Sequence, residues 1–510
     1  MEVSYTKNYL KIYFWRFLSI ITNFLSLMIV LPLISDNQEL YGIYAFCISF
    51  SVYLSYADIG FLNAGQKFSA EEYSKGNRDE EMKILGFTAF VLLIMMIPFS
   101  IMMIVLSNNP EIIIKDLSSK GQEIAGYIFF IIGIFTPINM IIERLVQSIL
   151  IIRIKDYICY RFNIISNIIK ILSVFIFFNR DNYFLAEYFL FISLINIISS
   201  IVIMVIIKIN ENYDFIALIK SLRLTKRYYH LTKALAFSSL VSTLGFLIYY
   251  ELDLIIIGQL YGPKEVAVYA IGFTFLNFFR TLWSSVFSPY AQRFNHFANE
   301  DSNHNIKKLL ANNIIYGMPL SFITITTLFL LADNIVILWV GEKYFESIII
   351  LRILMISTLF SFLTIPASHY FTAKLMHKYI YLRGALVPAT FILSVFLFSP
   401  IMGINGIAVA KTIAVFIGVI ISMIGISKII NLFKIFKKWA IQLIILILLI
   451  LPFLVENLSL LFPDHNKSPI QLLILLVLSG SLIALSYLAV LITRKNSRIE
   501  LTLFLNSLRN

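Results

Sequence analysis

Charge is scarce in this chain. Asp, Glu, Lys and Arg make up only 14% of its 510 residues, against roughly 25% in an ordinary soluble domain, which excludes a water-covered globular surface of this size. Cysteine is scarcer still. Cys47 and Cys159 are the only two, both inside apolar runs, so neither a disulfide framework nor a thiolate metal site is indicated. The six histidines include no pair at metal-ligand spacing. A G-x-x-x-x-G-K-S/T loop is missing, which argues against an ATP-driven machine. Alternating-polarity segments of about ten residues are missing too, so an outer-membrane barrel is excluded. The apolar run 10–34 is too long for a signal peptide and no small-x-small cleavage site follows it, so it reads as a first retained helix.

What the chain does have is hydrophobic length. Hydrophobic residues make up 59% of it, gathered in runs of about 18–25, enough to cross a hydrocarbon core of roughly 30 Å as helices. Spans are expected at 10–34, 40–63, 84–106, 124–150, 157–178, 184–207 and 234–258. Seven more follow at 265–290, 309–331, 346–371, 379–399, 403–427, 436–455 and 470–492. The cations test that count, because one missed helix would invert the sidedness of every later loop. With the N-terminus inside, and cations near the inner ends of spans counted with the internal segments, 30 of the 41 Lys and Arg residues are internal, 6 external and 5 deeper within spans. The expected fold class is an all-α integral membrane protein of about fourteen transmembrane helices, with both termini cytoplasmic. The same distribution accounts for the net charge of +12. The basic loops face anionic membrane lipids of the inner leaflet, each cation near the surface contributing about 1 kcal/mol, and no nucleic acid is needed as a partner.

The longest internal connection, 208–233, falls after six spans. Its stretch 215–231 mixes Phe215, Leu218, Ile219 and Leu222 with cations, as a helix lying in the interface would. The expected organisation is an N-lobe at 1–207 with helices 1–6, a cytoplasmic amphipathic linker at 208–233 and a C-lobe at 234–427 with helices 7–12. Two further helices and a cytoplasmic tail occupy 428–510. An internal repeat supports the two lobes. Gly42-Ile-Tyr-Ala-Phe-Cys-Ile-Ser-Phe50 aligns without gaps on Ala267-Val-Tyr-Ala-Ile-Gly-Phe-Thr-Phe275, and each copy opens the second helix of its half. Gly406, Ala410, Ala414, Gly418 and Ser422 form a stripe at a spacing of four in the twelfth span, a surface on which another helix can pack closely.

Several short stretches then carry a family resemblance. Leu40-Tyr-Gly-Ile-Tyr44 and Tyr56-Ala-Asp-Ile-Gly60 flank the second helix, Glu251-Leu-Asp-Leu-Ile-Ile-Ile-Gly258 precedes Val266-Ala-Val-Tyr269, and Ser288-Pro-Tyr290 and Gly403-Ile-Asn-Gly-Ile-Ala-Val-Ala410 follow. In order, over about residues 10–427, they resemble the Wzx-type O-antigen and polysaccharide flippases of the multidrug/oligosaccharidyl-lipid/polysaccharide (MOP) superfamily. The resemblance implies a MATE/MOP-like fold of two six-helix lobes around a cavity that opens alternately to the two sides of a bacterial inner membrane. It implies an undecaprenyl-pyrophosphate-linked oligosaccharide as substrate, for O-antigen or capsule biosynthesis. A polysaccharide polymerase and a chain-length regulator are the protein partners it implies, and no cofactor is expected. Short external loops without an acid/base constellation argue against a membrane enzyme. The alternative is a cation- or proton-coupled multidrug exporter of the same superfamily.

Ionisable groups within spans are the candidate site, since a charge near the bilayer centre needs a cavity or a partner. Arg280, Arg144, Lys411 and Lys170 are the candidate substrate-binding cations, because a guanidinium fork or a mobile ammonium suits a pyrophosphate. Arg280, near the middle of its span, leads that set, and its alternative is a structural pair with Glu143 or Asp253. Arg352 reads as snorkelling to the outer interface. Glu251, Asp253 and Glu143 are candidates for ion coupling, and Asp58 and Arg16 for a gate contact. Glu251 and Asp253, two apart on one helix, are expected to point in different directions.

Overall fold

In a hydrocarbon solvent a backbone must satisfy its own N–H and C=O groups, so apolar runs of this length fold as helices. The computed structural model describes residues 5–54, 60–179, 183–299, 303–433 and 435–437 and is helical almost throughout. Its chain divides into two compact units, Met1–Ala270 and Ile271–Asn510. Among the described residues nine helices are long and apolar enough to cross a membrane, and eleven spans result if each of two bent helix pairs is one crossing. The expected spans 436–455 and 470–492 lie outside the described residues, save 436–437.

The first unit opens with α1 (Tyr5–Ile34), α2 (Gln38–Leu54), α3 (Phe61–Ser74) and α4 (Arg78–Asn108). It continues with α5 (Ser119–Ile152), α6 (Tyr157–Phe177), α7 (Leu185–Glu211), α8 (Phe215–Lys220), α9 (Lys226–Tyr250) and α10 (Asp253–Leu260). The helix starts follow from local chemistry. Asn77 accepts from the Glu80 N–H, Ser118 from the Gly121 N–H, and Asp214 from the N–H groups of Ile216 and Ala217, each satisfying donors that a helix start leaves open. α5 packs against α4 and α7, while α6 pairs with α1. At one end of this bundle Leu85, Val146, Ile149, Ile207 and Leu218 form a shared core.

Three expectations change in this unit. The second span is the 17-residue helix Gln38–Leu54, with residues 55–59, including Asp58, outside the described set. The linker is not one helix over 215–231. α8 ends at Lys220, where the Ser221 hydroxyl donates to the carbonyls of Leu218 and Met82 at 2.6 and 3.1 Å, and residues from Lys226 onward already belong to α9. The seventh span is broken, with α9 and α10 meeting at 42°.

α11 (Pro263–Asn299) follows. The two copies of the sequence repeat start at the same helical position, Gly42 being the fifth residue of α2 and Ala267 the fifth of α11. The second unit contains α12 (Asn303–Leu330), α13 (Ala332–Val340), α14 (Ser347–Thr358), α15 (Thr364–Ala373), α16 (His377–Met402) and α17 (Ile404–Ser427). α13 occupies what reads in sequence as an external loop. Trp339 explains it, since its ring is buried edge-on to Phe275, with centroids 5.3 Å apart. α14 and the segment Ser361–Ala373 form the second bent pair, at 40°. α16 and α17 form a hairpin through Gly403, whose φ of 59° suits glycine. The small-residue stripe is what lets them meet. A Cβ on Gly406 would stand 2.3 Å from the Phe398 carbonyl oxygen, and one on Gly418 would stand 3.3 Å from Val387.

Candidate functional site

Acids and cations within the membrane-level helices of the first unit gather in two places. The first is the break in the seventh span. Asp253 is the first residue of α10, where a carboxylate favours the positive end of the helix. Gly258 sets the depth of α10 against α2, because a Cβ there would come within 2.3 Å of the Phe46 ring. Asp253 and Glu251 are both buried. Both carboxylates act electrostatically on the Tyr53 hydroxyl of α2, and the Tyr269 ring of α11 faces Asp253. Both carboxylates lie within electrostatic reach of Tyr53, beside the bend between Tyr250 and Asp253.

The second place lies among α5, α6 and α7. The Ser200 hydroxyl of α7 donates to Asn139 Oδ1 at 3.0 Å, and the Asn139 amide donates to Glu143 Oε2 at 3.2 Å. Glu143 in turn faces Lys170 of α6. Glu143 is exposed and Lys170 half-buried, and an exposed carboxylate at this depth belongs in a water-filled space rather than in lipid. Arg144, next on α5, is half-buried. One turn further, Gln66 of α3 donates to Ser148 Oγ at 2.8 Å, and Ser148 to the Arg144 carbonyl at 2.6 Å. Arg16 of α1 faces Asp156, at the turn into α6, and Asp58, the other residue of the expected gate contact, lies outside the described residues. Burial holds the Asp156 carboxyl above its ordinary range, partly offset by Arg16.

In the second unit Arg280 is half-buried at the midpoint of α11. Lys411 is fully buried on α17, with Nζ 3.9 Å from the centroid of the Phe273 ring. Its neighbour Thr412 donates to the Ile353 carbonyl of α14 at 3.1 Å. Arg352 forms an ion pair with Asp333 of α13 and donates to the Phe329 carbonyl, so it has a protein partner in addition to a place near the interface.

A further group was not legible in the sequence. Glu81, at the start of α4, takes a two-pronged contact from Arg153, with N–O distances of 2.8 and 3.2 Å. Glu211 at the end of α7 lies 3.9 Å from Arg153 Nε and bonds Lys155. The guanidinium also lies over Tyr73 and Tyr213, 4.6 and 5.0 Å from the ring centroids. In the sequence Arg153 and Lys155 stand out only as two of the internal cations. The signal that could have found the pair is Glu81 itself, an acid three residues before the apolar run 84–106. Among the described residues no group of three or more His, Cys, Asp or Glu side chains could hold a metal ion, and Cys47 and Cys159 are free.

Long apolar helices, broken seventh and tenth spans, and ionisable groups within those helices define an all-α membrane fold. The comparisons agree with that class. The MatE family profile matches residues 238–375, and no curated protein sequence matches the chain. Among solved structures, the lipid II flippase MurJ in an inward closed conformation is similar over 92% of this chain and 98% of its own, with a TM-score of 0.65 at 16% identity. An inward-facing multidrug resistance MATE transporter is similar over 80% of this chain and 99% of its own, at TM-score 0.61 and 11% identity. A MOP superfamily transporter from Pyrococcus furiosus, described as having a binding pocket of reversed polarity, is similar over 84% and 97%, at TM-score 0.60 and 11% identity. The chain has a MATE/MOP-like fold.

Proposed function

We propose that this chain is a flippase of the Wzx type, carrying undecaprenyl-pyrophosphate-linked oligosaccharide from the cytoplasmic to the periplasmic leaflet for O-antigen or capsule biosynthesis. The observation that carries the reading is the polarity of the accessible charge away from helix ends. Arg144, Lys170 and Arg280 are partly exposed there, Glu143 is the one accessible acid among the described residues, and Glu251 and Asp253 are buried. Such a surface suits an anionic head better than a cationic drug. Similarity to a lipid II flippase over more of the chain than to the MATE transporter points the same way.

The proposed mechanism is alternating access. Arg144 and Lys170 in the first unit and Arg280 in the second are the candidate cations for the pyrophosphate, while the polyprenyl tail stays in lipid. Lys411, buried against Phe273, joins them only in a conformation that uncovers it. Glu251 and Asp253 are the candidate ion-coupling groups, and a proton or a sodium ion would meet them beside Tyr53. The multidrug-exporter reading rests on the MatE match and on those same acids.

Deleting the gene and measuring lipid-linked oligosaccharide and surface polysaccharide in the same cells tests the proposal. Accumulation of cytoplasmic-side lipid-linked repeat units with loss of polymer is expected. Normal polymer with no build-up would leave the exporter as the better reading.

A further inference from the structure

α1 and α6 pack side by side, and Lys11 and Trp15 of α1 meet Tyr157 and Arg161 at the start of α6. The Arg161 guanidinium lies over the Trp15 ring at 4.5 Å from its centroid and over Tyr157 at 5.2 Å. Lys11 Nζ lies 5.4 Å from the centroid of the same Tyr157 ring. Two cations thus share one aromatic ring, and among the described residues neither forms an ion pair with an acid. The nearest candidate, Asp156, is already faced by Arg16. A guanidinium held over an indole face still has N–H groups to offer an anion such as a phosphate.

Below this end the two helices present apolar side chains that are exposed among the described residues. On α1 these are Phe14, Phe17, Ile21 and Leu25, and on α6 they are Ile165, Ile168, Leu172 and Phe175. Both sets follow spacings of three and four, so each forms one stripe along its helix. From Phe14 to Leu25 the stripe runs about 16 Å at the helical rise, roughly half of a 30 Å hydrocarbon core. Tryptophan and tyrosine at the head of such a stripe are where a membrane interface places them.

We infer that Lys11, Trp15, Tyr157 and Arg161 form a binding site for the phosphate headgroup of an anionic phospholipid, with its two acyl chains along the stripes of α1 and α6. Two stripes converging on one headgroup site match a two-chained lipid, whereas a single polyprenyl tail would fill only one. The cation distribution assigns this end to the cytoplasmic leaflet, where anionic phospholipid is the abundant ligand. The site uses none of the cations proposed to hold the transported substrate, so it stands whether or not the chain is a flippase.

The test is a thermal-shift titration of the full-length, delipidated protein in detergent with dioleoylphosphatidylglycerol, and with dioleoylphosphatidylcholine as the neutral comparison. Wild type is expected to show a saturable rise in melting temperature with the anionic lipid alone. The double variant Lys11→Gln/Arg161→Gln should need roughly thirtyfold more of it, as two cations near an anionic surface each contribute about fivefold. A second double variant, Lys220→Gln/Arg223→Gln, removes two basic residues of the linker and should titrate as wild type. Equal weakening in both double variants would mean diffuse electrostatics and overturn the site. Displacement of bound phosphatidylglycerol by a lower concentration of polyprenyl pyrophosphate would overturn the phospholipid assignment. Should the Gln variant not survive purification, Arg161→Lys, which keeps the charge and loses the flat stacking, should weaken the same titration, and wild-type behaviour there would count against the proposal.

Discussion

Consider replacing Arg153 with methionine. Its guanidinium is 1% exposed and holds the Glu81 carboxylate, which is 0% exposed, through two N–H donors. The variant leaves Glu81 buried with no cation against it, and breaking a buried pair from one side costs about 3–5 kcal/mol. Removing the other partner should cost less. In Glu81→Gln the guanidinium keeps Glu211 at 3.9 Å, the Ile149 carbonyl at 3.1 Å and the Tyr73 and Tyr213 rings, and the glutamine carbonyl can still accept from it. The double variant Glu81→Met/Arg153→Met should recover most of the loss, because replacing a whole buried pair by apolar volume is neutral or stabilising by about 1–4 kcal/mol. A chain of this size in detergent does not unfold in two states, so the readout is the order of melting temperatures by size-exclusion after heating. The expected order is wild type and double variant at the top, Glu81→Gln below them and Arg153→Met lowest. If Arg153→Met melts with wild type, or the double variant melts below it, the pair does not hold the ends of α4, α5 and α7 together.

Three other substitutions follow from the same geometry. Gly42→Ala would set a Cβ 1.7 Å from the Pro263 carbonyl oxygen, an overlap that flexible side chains cannot absorb, so a loss of at least about 1–3 kcal/mol is expected; unchanged yield and melting would refute the docking of α2 against the start of α11. Asp156→Asn should raise the melting temperature at pH 7, because burial raises the folded-state pKa of this acid and makes its ionised form unfavourable. The wild-type stability tied to Asp156 is full below the unfolded value of about 4 and is lost as pH rises through the folded one, so the gain should vanish in acid, and a pH-independent gain would sink the assignment. For Glu143 and Lys170, a double-mutant cycle with Glu143→Gln and Lys170→Gln should give a coupling of about 0.5–3 kcal/mol in melting or transport, whereas additive effects would mean that the two charges act apart.

The parts of this structure legible in the sequence are those set by hydrophobic length and by side-chain chemistry at helix starts. Twelve of the expected spans correspond to helical segments, and the repeat copies at Gly42 and Ala267 open their helices at the same register. The pairings were not legible, because contacts such as Arg153 with Glu81 or Glu143 with Lys170 join residues far apart in the chain. The break in the seventh span escaped for a different reason. Apolar composition does not change across a bend, and the segment 250–253 has neither glycine nor proline to announce one. Yet the acids there carry the information. A carboxylate inside an apolar run is destabilising in the middle of a continuous helix and favourable at the first turn of a new one, and Asp253 is the first residue of α10. Read as a helix start, Asp253 places the break at residues 251–252, so the residue chosen for its charge also explains the shape of the seventh span.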